Sequence, residues 1–507
     1  MSKVNRSVAN MISGGVGYLV PMVLNLVFTP IIVSKLGKEA YGLQSLVNVI
    51  IGYLMVADMG LDIPVTKFIA EFRAKEDKQS LNKMLNNTLQ IYLIIGVFGM
   101  ILISLLSGFL VKDVFSIPPE MQGEARTVFY LAGVGFVGGL MSMWGKAIFN
   151  GLQRYDIGNG INIVFNFLST CLGILVVVLG YGLTGFILMR VLFSLLASVT
   201  YFYYSKKLLP DFKFTLGIDL LTWALLKGQI GYGFILRASG MFFARIDQAL
   251  IASWIGVSAV GVYAIPFLVT TSLSSLLASI THFVFPMATE LYSTNRQEEF
   301  KSMFIKVLGF VNSIASLLFV PLIIFGDKFL ILWVGKSIGE QGALVLLFLS
   351  IAAYFSAMLV IIVNSIMVGI GQLRIFTFFI LIRNSIIGLG CVLLIKQLSI
   401  AGAGISMMIA CIPDLFYFFY SLKKHLHISI VKVFNESYKK PLLLSSVLGI
   451  GCFFLRPYAD TWIGLIVCCG TFILAYLSLG FPMAVFGETE KRVLSMLWLR
   501  VGSKKNK

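Results

Sequence analysis

Long apolar segments, separated by short polar ones, run along the whole chain. About 20 apolar residues are the length that an α-helix needs to cross the hydrocarbon core of a bilayer. The sequence predicts an all-α polytopic membrane protein with about 14 transmembrane helices. The predicted spans lie at residues 11–34, 43–66, 87–110, 127–149, 160–180, 183–204, 230–253, 261–286, 306–326, 343–368, 375–396, 401–420, 441–456 and 462–483.

Composition agrees with this pattern and changes how the charge is interpreted. The chain is 58% hydrophobic and 12% charged, and its mean hydropathy is +0.92. That leaves too little polar surface for a water-soluble globule. A formal net charge of +17 raises the possibility of nucleic-acid binding, but the basic residues lie between the apolar segments. The charge therefore indicates membrane orientation, and no nucleic-acid partner is expected.

The distribution of Lys and Arg predicts the orientation. With the N-terminus placed in the cytoplasm, 28 of the 40 basic residues fall in inner segments, 8 in outer segments and the remaining 4 inside spans. Basic residues favour cytoplasmic loops. An even number of spans then places both termini in the cytoplasm.

The first half of the chain recurs in the second half at an offset of 219 residues. The turn at 36–42 recurs without a gap at 255–261, and the same offset relates Gly185 to Gly404. Because six helices separate equivalent positions, the repeat is parallel, and it predicts two six-helix bundles related by a pseudo-twofold axis. The expected domains are an N-terminal bundle, a C-terminal bundle, and two extra helices with a basic tail. Their limits are 1–215, 216–430 and 431–507.

Four arginines lie inside predicted spans, where charge is costly and usually functional: Arg190, Arg237, Arg245 and Arg383. Arg237 and Arg245 are eight residues apart, about 80° around a helix, so both can face one cavity. Arg383 lies near the middle of its span. A cavity with these cations would bind an anionic headgroup. The alternative is that each arginine pairs with a carboxylate of a neighbouring helix and stabilises the bundle.

The repeat predicts an asymmetric anion site. At the 219-residue offset, Arg237 and Arg245 correspond to Tyr18 and Leu26. The first bundle therefore has no matching charge, and the site is expected to be weighted towards the C-terminal bundle, with Arg383 forming another wall.

Three carboxylates inside the apolar spans are candidates for coupling transport to an ion gradient. Asp58 and Asp62 are four residues apart and predicted to share one helix face, and Asp247 lies two residues after Arg245. A purely structural role for Asp58 is the alternative. The sequence contains no H-E-x-x-H or Walker-type motif, so no catalytic residues, metal site or cofactor are expected.

Three stretches resemble a known family: LGKEAYGLQSLVNVIIGYLMVADMGLDIPVTKFIAEF, NGLQRYD at 150–156 and GVSAVGVYAIP at 256–266. They resemble the polysaccharide transporter branch of the multidrug/oligosaccharidyl-lipid/polysaccharide flippase superfamily. The resemblance implies a bacterial inner-membrane protein that flips undecaprenyl-pyrophosphate-linked oligosaccharide outward through a cationic cavity between two lobes, by alternating access. The cargo would serve O-antigen or a related surface polysaccharide. Membrane lipids, a glycan polymerase and a chain-length regulator are the further partners it implies.

Two other functions fit the same pattern. One is an ion-coupled exporter of drugs or metabolites with the same fold. The other is a scaffold of a glycan-assembly complex that transports nothing.

Overall fold

The computed structural model describes residues 3–58, 60–215, 217, 219, 240, 245–281 and 283–481, with side chains from Pro21 onward. Regular secondary structure within these ranges is helical. The helices of the first half are α1 Lys3–Leu54, α2 Asp62–Ala74, α3 Lys78–Phe109, α4 Gln122–Gly151, α5 Tyr155–Val178, α6 Gly182–Leu208 and α7 Ile246–Trp254.

The second half continues the all-helical pattern to the end of the described chain. Its helices are α8 Val257–Ile280, α9 Val284–Ser293, α10 Gln297–Val334, α11 Lys336–Leu359, α12 Ile361–Gly369, α13 Leu373–Leu398, α14 Ile400–Ile409, α15 Cys411–Ser421, α16 Ile430–Val433, α17 Lys439–Phe454 and α18 Trp462–Gly480. Short 3-10 or π-helical turns at 55–58, 110–114, 119–121, 422–426, 434–438 and 456–458 join several of them.

Within the described residues, 11 helical segments are long and apolar enough to cross a membrane. Three further predicted spans explain the difference from 14. The first two predicted spans are counted as one segment because only Gly37 interrupts the helical residues of α1, most of the seventh lies outside the described residues, and the thirteenth is α17, only 16 residues long. The prediction of an all-α multi-pass membrane protein is confirmed.

The predicted loop after the first span is a single non-helical residue. Gly37 has φ 82° and ψ 170°, a combination that residues with a Cβ rarely adopt, while the residues on both sides are helical. The chain therefore changes direction at one glycine.

The second predicted span ends earlier than expected, and this corrects the placement of two carboxylates. The helix stops at Leu54, a 3-10 turn covers Met55–Asp58, and α2 begins at Asp62. Gly60 between them has φ 72°, which ends regular right-handed helix. The expectation that Asp58 and Asp62 share one helix face was wrong, because the helix is interrupted between them.

The chain divides into two compact units, Met1–Ala264 and Ile265–Lys507. This division does not test the predicted domain limits, which remain a prediction. A large core of the first unit joins α2, α3 and α4 around Tyr92, Phe136 and Trp144, which are at most 2% exposed. The Trp144 indole donates a hydrogen bond to Thr88 Oγ1 at 3.1 Å.

The second unit has its main core around α10, α11 and α12, with Phe304, Phe319 and Val363 fully buried. The two extra helices, α17 and α18, pack on α10 through Phe325 and Phe472.

Two ion pairs link the turn between α17 and α18 to one end of α10. Arg456 Nη2 lies 2.6 Å from Asp327 Oδ2, and Lys328 pairs with Asp460. The extra helices are thus held by apolar packing along their length and by charge at one end.

The repeated turns pack against each other in the first unit. A Cβ on Gly42 would overlap the carbonyl oxygen of Val257 and lie 2.9 Å from Gly261 N. A Cβ on Gly261 would overlap the carbonyl oxygen of Lys38 and lie 3.2 Å from Gly42 N. The 219-residue offset relates both pairs, so equivalent residues make equivalent contacts.

Candidate functional site

A polar cavity of about 350 Å³ lies between α4, α5 and α6 in the first unit. Each helix contributes residues at helical spacing, three or four positions apart, so one stripe of every helix faces the cavity. The polar lining residues are Ser142 and Lys146 from α4, Asn162, Asn166 and Ser169 from α5, and Arg190, Ser194 and Tyr201 from α6. The volume is within the usual range for small-molecule sites.

Glycines allow α4 and α6 to pack closely beside the cavity. A Cβ on Gly138 would lie 2.8 Å from Ser194 Oγ. Ser198 Oγ donates a hydrogen bond to Gly138 O at 2.7 Å, and the Ser142 and Ser198 hydroxyl oxygens are 3.2 Å apart. Small residues and interhelical hydrogen bonds are the usual means by which membrane helices associate. This contact fixes the spacing of the two helices that carry Lys146 and Arg190.

The cavity is cationic. Lys146 and Arg190 are the charged members of its described lining, and none of the described lining residues is a carboxylate. Arg190 lies eight residues from the start of α6, roughly 12 Å along the axis, and Lys146 lies five residues from the end of α4, roughly 8 Å. Two cations on membrane-spanning helices without a carboxylate in the same cavity favour an anionic ligand.

Amide and hydroxyl groups line the space around these two cations. Asn166 Nδ2 donates to Asn162 Oδ1 at 2.8 Å and to Asn162 O at 2.9 Å, which fixes the orientation of both side chains. Tyr201 OH donates to Gly158 O at 2.8 Å. Such groups can hydrogen-bond to hydroxyls of a polar ligand.

The sequence identified one of these cations and missed the other. Arg190 was predicted as an anion-binding residue, whereas Lys146 was assigned to a loop by its position near the end of a span. Asn162 and Asn166 were not singled out either. Their four-residue spacing within an apolar helix was the available signal, since amides in a membrane helix normally face polar space.

The predicted site on the seventh span is only partly described. Arg237 lies outside the described residues. Arg245 directly precedes α7, in a turn rather than inside a helix, with φ −139°. A Cβ on Gly52 would lie 4.0 Å from Arg245 Cδ, so this arginine packs beside α1. The argument that Arg237 and Arg245 share a helix face remains a prediction.

Asp247 is fully buried in the first turn of α7. Its carboxylate accepts hydrogen bonds from the Tyr263 hydroxyl of α8 and from Gln248 N at 2.8 Å. Tyr53 of α1 lies within electrostatic range of both Asp247 and Arg245. A buried carboxylate beside a cation and two tyrosines, on three different helices, is suited to an ion-coupling role, which stays a prediction.

Arg383 of α13 pairs with a carboxylate of a neighbouring helix. Its Nε lies 3.1 Å from Oδ2 of Asp414 on α15. The Arg383 side chain is 31% exposed and that of Asp414 is 6% exposed. This is the arrangement expected for an arginine that stabilises the bundle, so the geometry favours that alternative over anion binding.

The two remaining predicted carboxylates, Asp58 and Asp62, lie in different secondary-structure elements. Asp58 is fully buried at the end of a 3-10 turn, and its carbonyl oxygen accepts from Leu61 N at 3.0 Å. Asp62 is partly exposed in the first turn of α2, where a negative charge is favoured by the helix dipole. These positions give Asp62 a helix-stabilising role and leave its coupling role a prediction.

An all-α membrane fold with a polar, cationic cavity inside one helical bundle is typical of a transporter. The family model described as "Polysaccharide biosynthesis protein" matches residues 7–292, more than half of the chain. The chain belongs to this family, which confirms the resemblance drawn from its motifs.

The chain is also similar to two curated proteins and to a solved structure. The chain is 25% identical over 328 residues to "Uncharacterized membrane protein EpsK" of Bacillus subtilis (strain 168), across 63% of this chain and 64% of that protein, just under two thirds of its length. It is 24% identical over 371 residues to "Putative O-antigen transporter" of Shigella flexneri, across 71% of this chain and 84% of that protein. The solved structure "Lipid II flippase MurJ, inward closed conformation" superposes with a TM-score of 0.72 at 12% identity, across 93% of this chain and 97% of that one.

Proposed function

We propose that the protein is a flippase for polyprenyl-pyrophosphate-linked oligosaccharide. It carries the headgroup from the inner to the outer leaflet of the bacterial inner membrane by alternating access. In this proposal the protein is a transporter rather than an enzyme, and both termini lie in the cytoplasm. The supporting observation is the cavity between α4, α5 and α6, which is lined by two cations, amides and hydroxyls and by no described carboxylate.

The chemistry of the cargo requires such a cavity. A sugar headgroup carrying a pyrophosphate is anionic and strongly hydrated, so its transfer into hydrocarbon is prohibitive without polar partners. Lys146 and Arg190 would bind phosphate oxygens through charge-assisted hydrogen bonds. Asn162 and Asn166 would hydrogen-bond to sugar hydroxyls. Arg245 remains a candidate for a further phosphate contact, while Arg383 is assigned to its ion pair with Asp414.

The family supports the biological setting that we propose. A polysaccharide biosynthesis protein with a flippase fold would supply repeat units for O-antigen or a related surface polysaccharide. A glycan polymerase and a chain-length regulator would act on the cargo after transfer and are the expected protein partners.

Export of cationic drugs is disfavoured by the same cavity, because two fixed cations repel a positive cargo. Reconstituted vesicles distinguish the two functions. Uptake or release of small cations along an ion gradient, without movement of lipid-linked sugar, would favour the exporter. Failure of both transport assays, with loss of glycan assembly on deletion, would favour the scaffold.

Complementation of a strain lacking its own flippase tests the proposal in cells. Lys146→Gln and Arg190→Gln should each reduce surface glycan, and the double variant should abolish it at unchanged membrane levels of the protein. Arg374→Gln, on the exposed first turn of α13, is the matched control and should complement fully. Full complementation by the double variant would contradict the proposed site.

A further inference from the structure

An extended segment after α6 is held by a column of amide side chains on α3. Lys213 N donates to Asn82 Oδ1 at 2.9 Å, and Asn86 Nδ2 donates to Lys213 O at 2.8 Å. Thr215 N donates to Asn86 Oδ1 at 2.8 Å. Each contact joins a backbone group of the segment to a side-chain amide of the helix.

The same arrangement continues along the segment. Gln90 Nε2 donates to Thr215 O at 3.0 Å, and Gly217 N donates to Gln90 Oε1 at 3.0 Å. Asp219 N and O exchange hydrogen bonds of 3.0 and 2.9 Å with the Asn87 amide. We call residues 82, 86, 87 and 90 the amide ladder.

Helix and strand geometry explain why the ladder fits. Residues four apart on a helix are separated by about 6.0 Å along the axis. Two residues of an extended chain span about 6.6 Å. Amides at positions 82, 86 and 90 therefore meet alternate residues 213, 215 and 217. An amide carries a donor and an acceptor, as a peptide group does, so the ladder acts as the partner strand that a lone extended segment lacks.

Because the amides are buried, they depend on the segment's backbone for hydrogen-bond partners. Asn86 and Asn87 are each 1% exposed, and a buried amide group without a hydrogen-bond partner destabilises the folded state. Two ion pairs between α3 and the chain after α6 also hold the segment in place. Lys83 Nζ lies 3.1 Å from Asp219 Oδ1, and Lys78 Nζ lies 2.9 Å from Asp211 Oδ2. The ladder is satisfied only with an extended backbone in place.

We propose that the amide ladder is a built binding site for an extended peptide backbone, occupied by the backbone groups of Lys213, Thr215, Gly217 and Asp219 of the same chain. It makes this segment a fixed part of the first unit throughout the transport cycle. The segment leads into the seventh predicted span, which carries Arg245 and Asp247. In this proposal the ladder residues fix the chain that enters that span and so act as positioning residues; this transport role rests on the proposed function, whereas the binding site itself does not.

Residue-resolved hydrogen exchange of the full-length protein in nanodiscs tests the binding site. The amides of Lys213, Thr215, Gly217 and Asp219 should exchange slowly, and that of Phe214 between them should exchange faster. Gln90→Leu should raise exchange at Gly217 by about tenfold, the effect of losing roughly one net hydrogen bond. Gln79→Leu, an exposed glutamine of the same helix outside the ladder, should leave it unchanged.

A pair of charge-reversing substitutions provides a second test if Gln90→Leu does not fold. Lys83→Glu should raise exchange at Asp219, and adding Asp219→Lys should restore slow exchange. Uniform exchange along 213–219, or equal effects of Gln90→Leu and Gln79→Leu, would overturn the proposed site.

Transport assays test the positioning role separately. Gln90→Leu should slow flipping of lipid-linked oligosaccharide by about tenfold with unchanged affinity for it, as expected when a step after binding is affected. Exchange rates at 213–219 should be the same with and without cargo. Faster exchange during transport would contradict a permanently fixed segment. If wild-type protein moves no lipid-linked sugar while the exchange pattern is present, the flippase proposal fails and the binding site stands.

Discussion

Gly42 and Gly261, which are equivalent residues of the two repeats, lie directly against each other. A Cβ on either one would overlap a backbone carbonyl of the other helix. The contact lies at the turn predicted to face the outside of the membrane, and backbone atoms cannot move aside as a flexible side chain would. The repeat is thus also a contact in space, and small residues at its centre are a physical requirement.

Substitution of either glycine by alanine should separate the two helices. Overpacking of a tight contact typically costs about 1–3 kcal/mol, so Gly42→Ala and Gly261→Ala should lower the midpoint of thermal unfolding in detergent. Gly451→Ala is the control, because nothing lies within 4 Å of a Cβ at that exposed helical position. Unchanged unfolding of both test variants would show that the backbones are not in contact.

The Arg383–Asp414 pair should behave as a coupled structural unit. Asp414→Asn leaves the arginine without its counter-charge inside a span and should reduce the amount of folded protein in the membrane. Adding Arg383→Gln should recover part of that loss, giving a coupling free energy of about 0.5–3 kcal/mol in a double-mutant cycle. Strictly additive losses, or failure of only the Arg383 variant in cargo binding, would instead favour an anion-binding role for Arg383.

Asp247 is the ion-coupling candidate whose carboxylate accepts hydrogen bonds from a tyrosine hydroxyl and from a backbone amide. Asp247→Asn keeps the side-chain shape and removes the charge that an ion or proton would neutralise. Flipping by this variant should no longer respond to an imposed proton or sodium gradient. Tyr263→Phe, which removes the hydroxyl that donates to the carboxylate, should weaken the response without abolishing it. A variant Asp247→Asn that keeps the full gradient response would exclude Asp247 as the coupling group.

The length of the apolar segments was sufficient to predict an all-α multi-pass membrane fold, because helix length and apolar run are set by the same bilayer thickness. The repeat and the family were also readable, since both depend on short motifs around glycines. The break in the helix between Asp58 and Asp62 could not be predicted from the sequence. A glycine inside an apolar run is compatible with a helix, and only its φ shows that Gly60 ends one.

The candidate site was harder to predict than the fold. Arg190 stood out as a charge inside a span, but its cavity is formed by stripes of three helices that are separate in sequence. Lys146 lies near a helix end, where a lysine usually reaches the membrane surface, so position alone gave no reason to select it. The partner of Arg383 on α15 and the partners of Asn86 depend on long-range packing in the same way.

Flipping by purified protein in vesicles tests the central claim most directly. Vesicles would contain polyprenyl-pyrophosphate-linked oligosaccharide in both leaflets, and the loss of inner-leaflet cargo to an external glycosidase would report transfer. The wild type and Arg374→Gln should transfer cargo at equal rates, and Lys146→Gln/Arg190→Gln should be slower by at least about a hundredfold, the effect of losing two charge-assisted hydrogen bonds. Transfer by the double variant at the wild-type rate would contradict the assignment of the cavity between α4, α5 and α6 as the headgroup site.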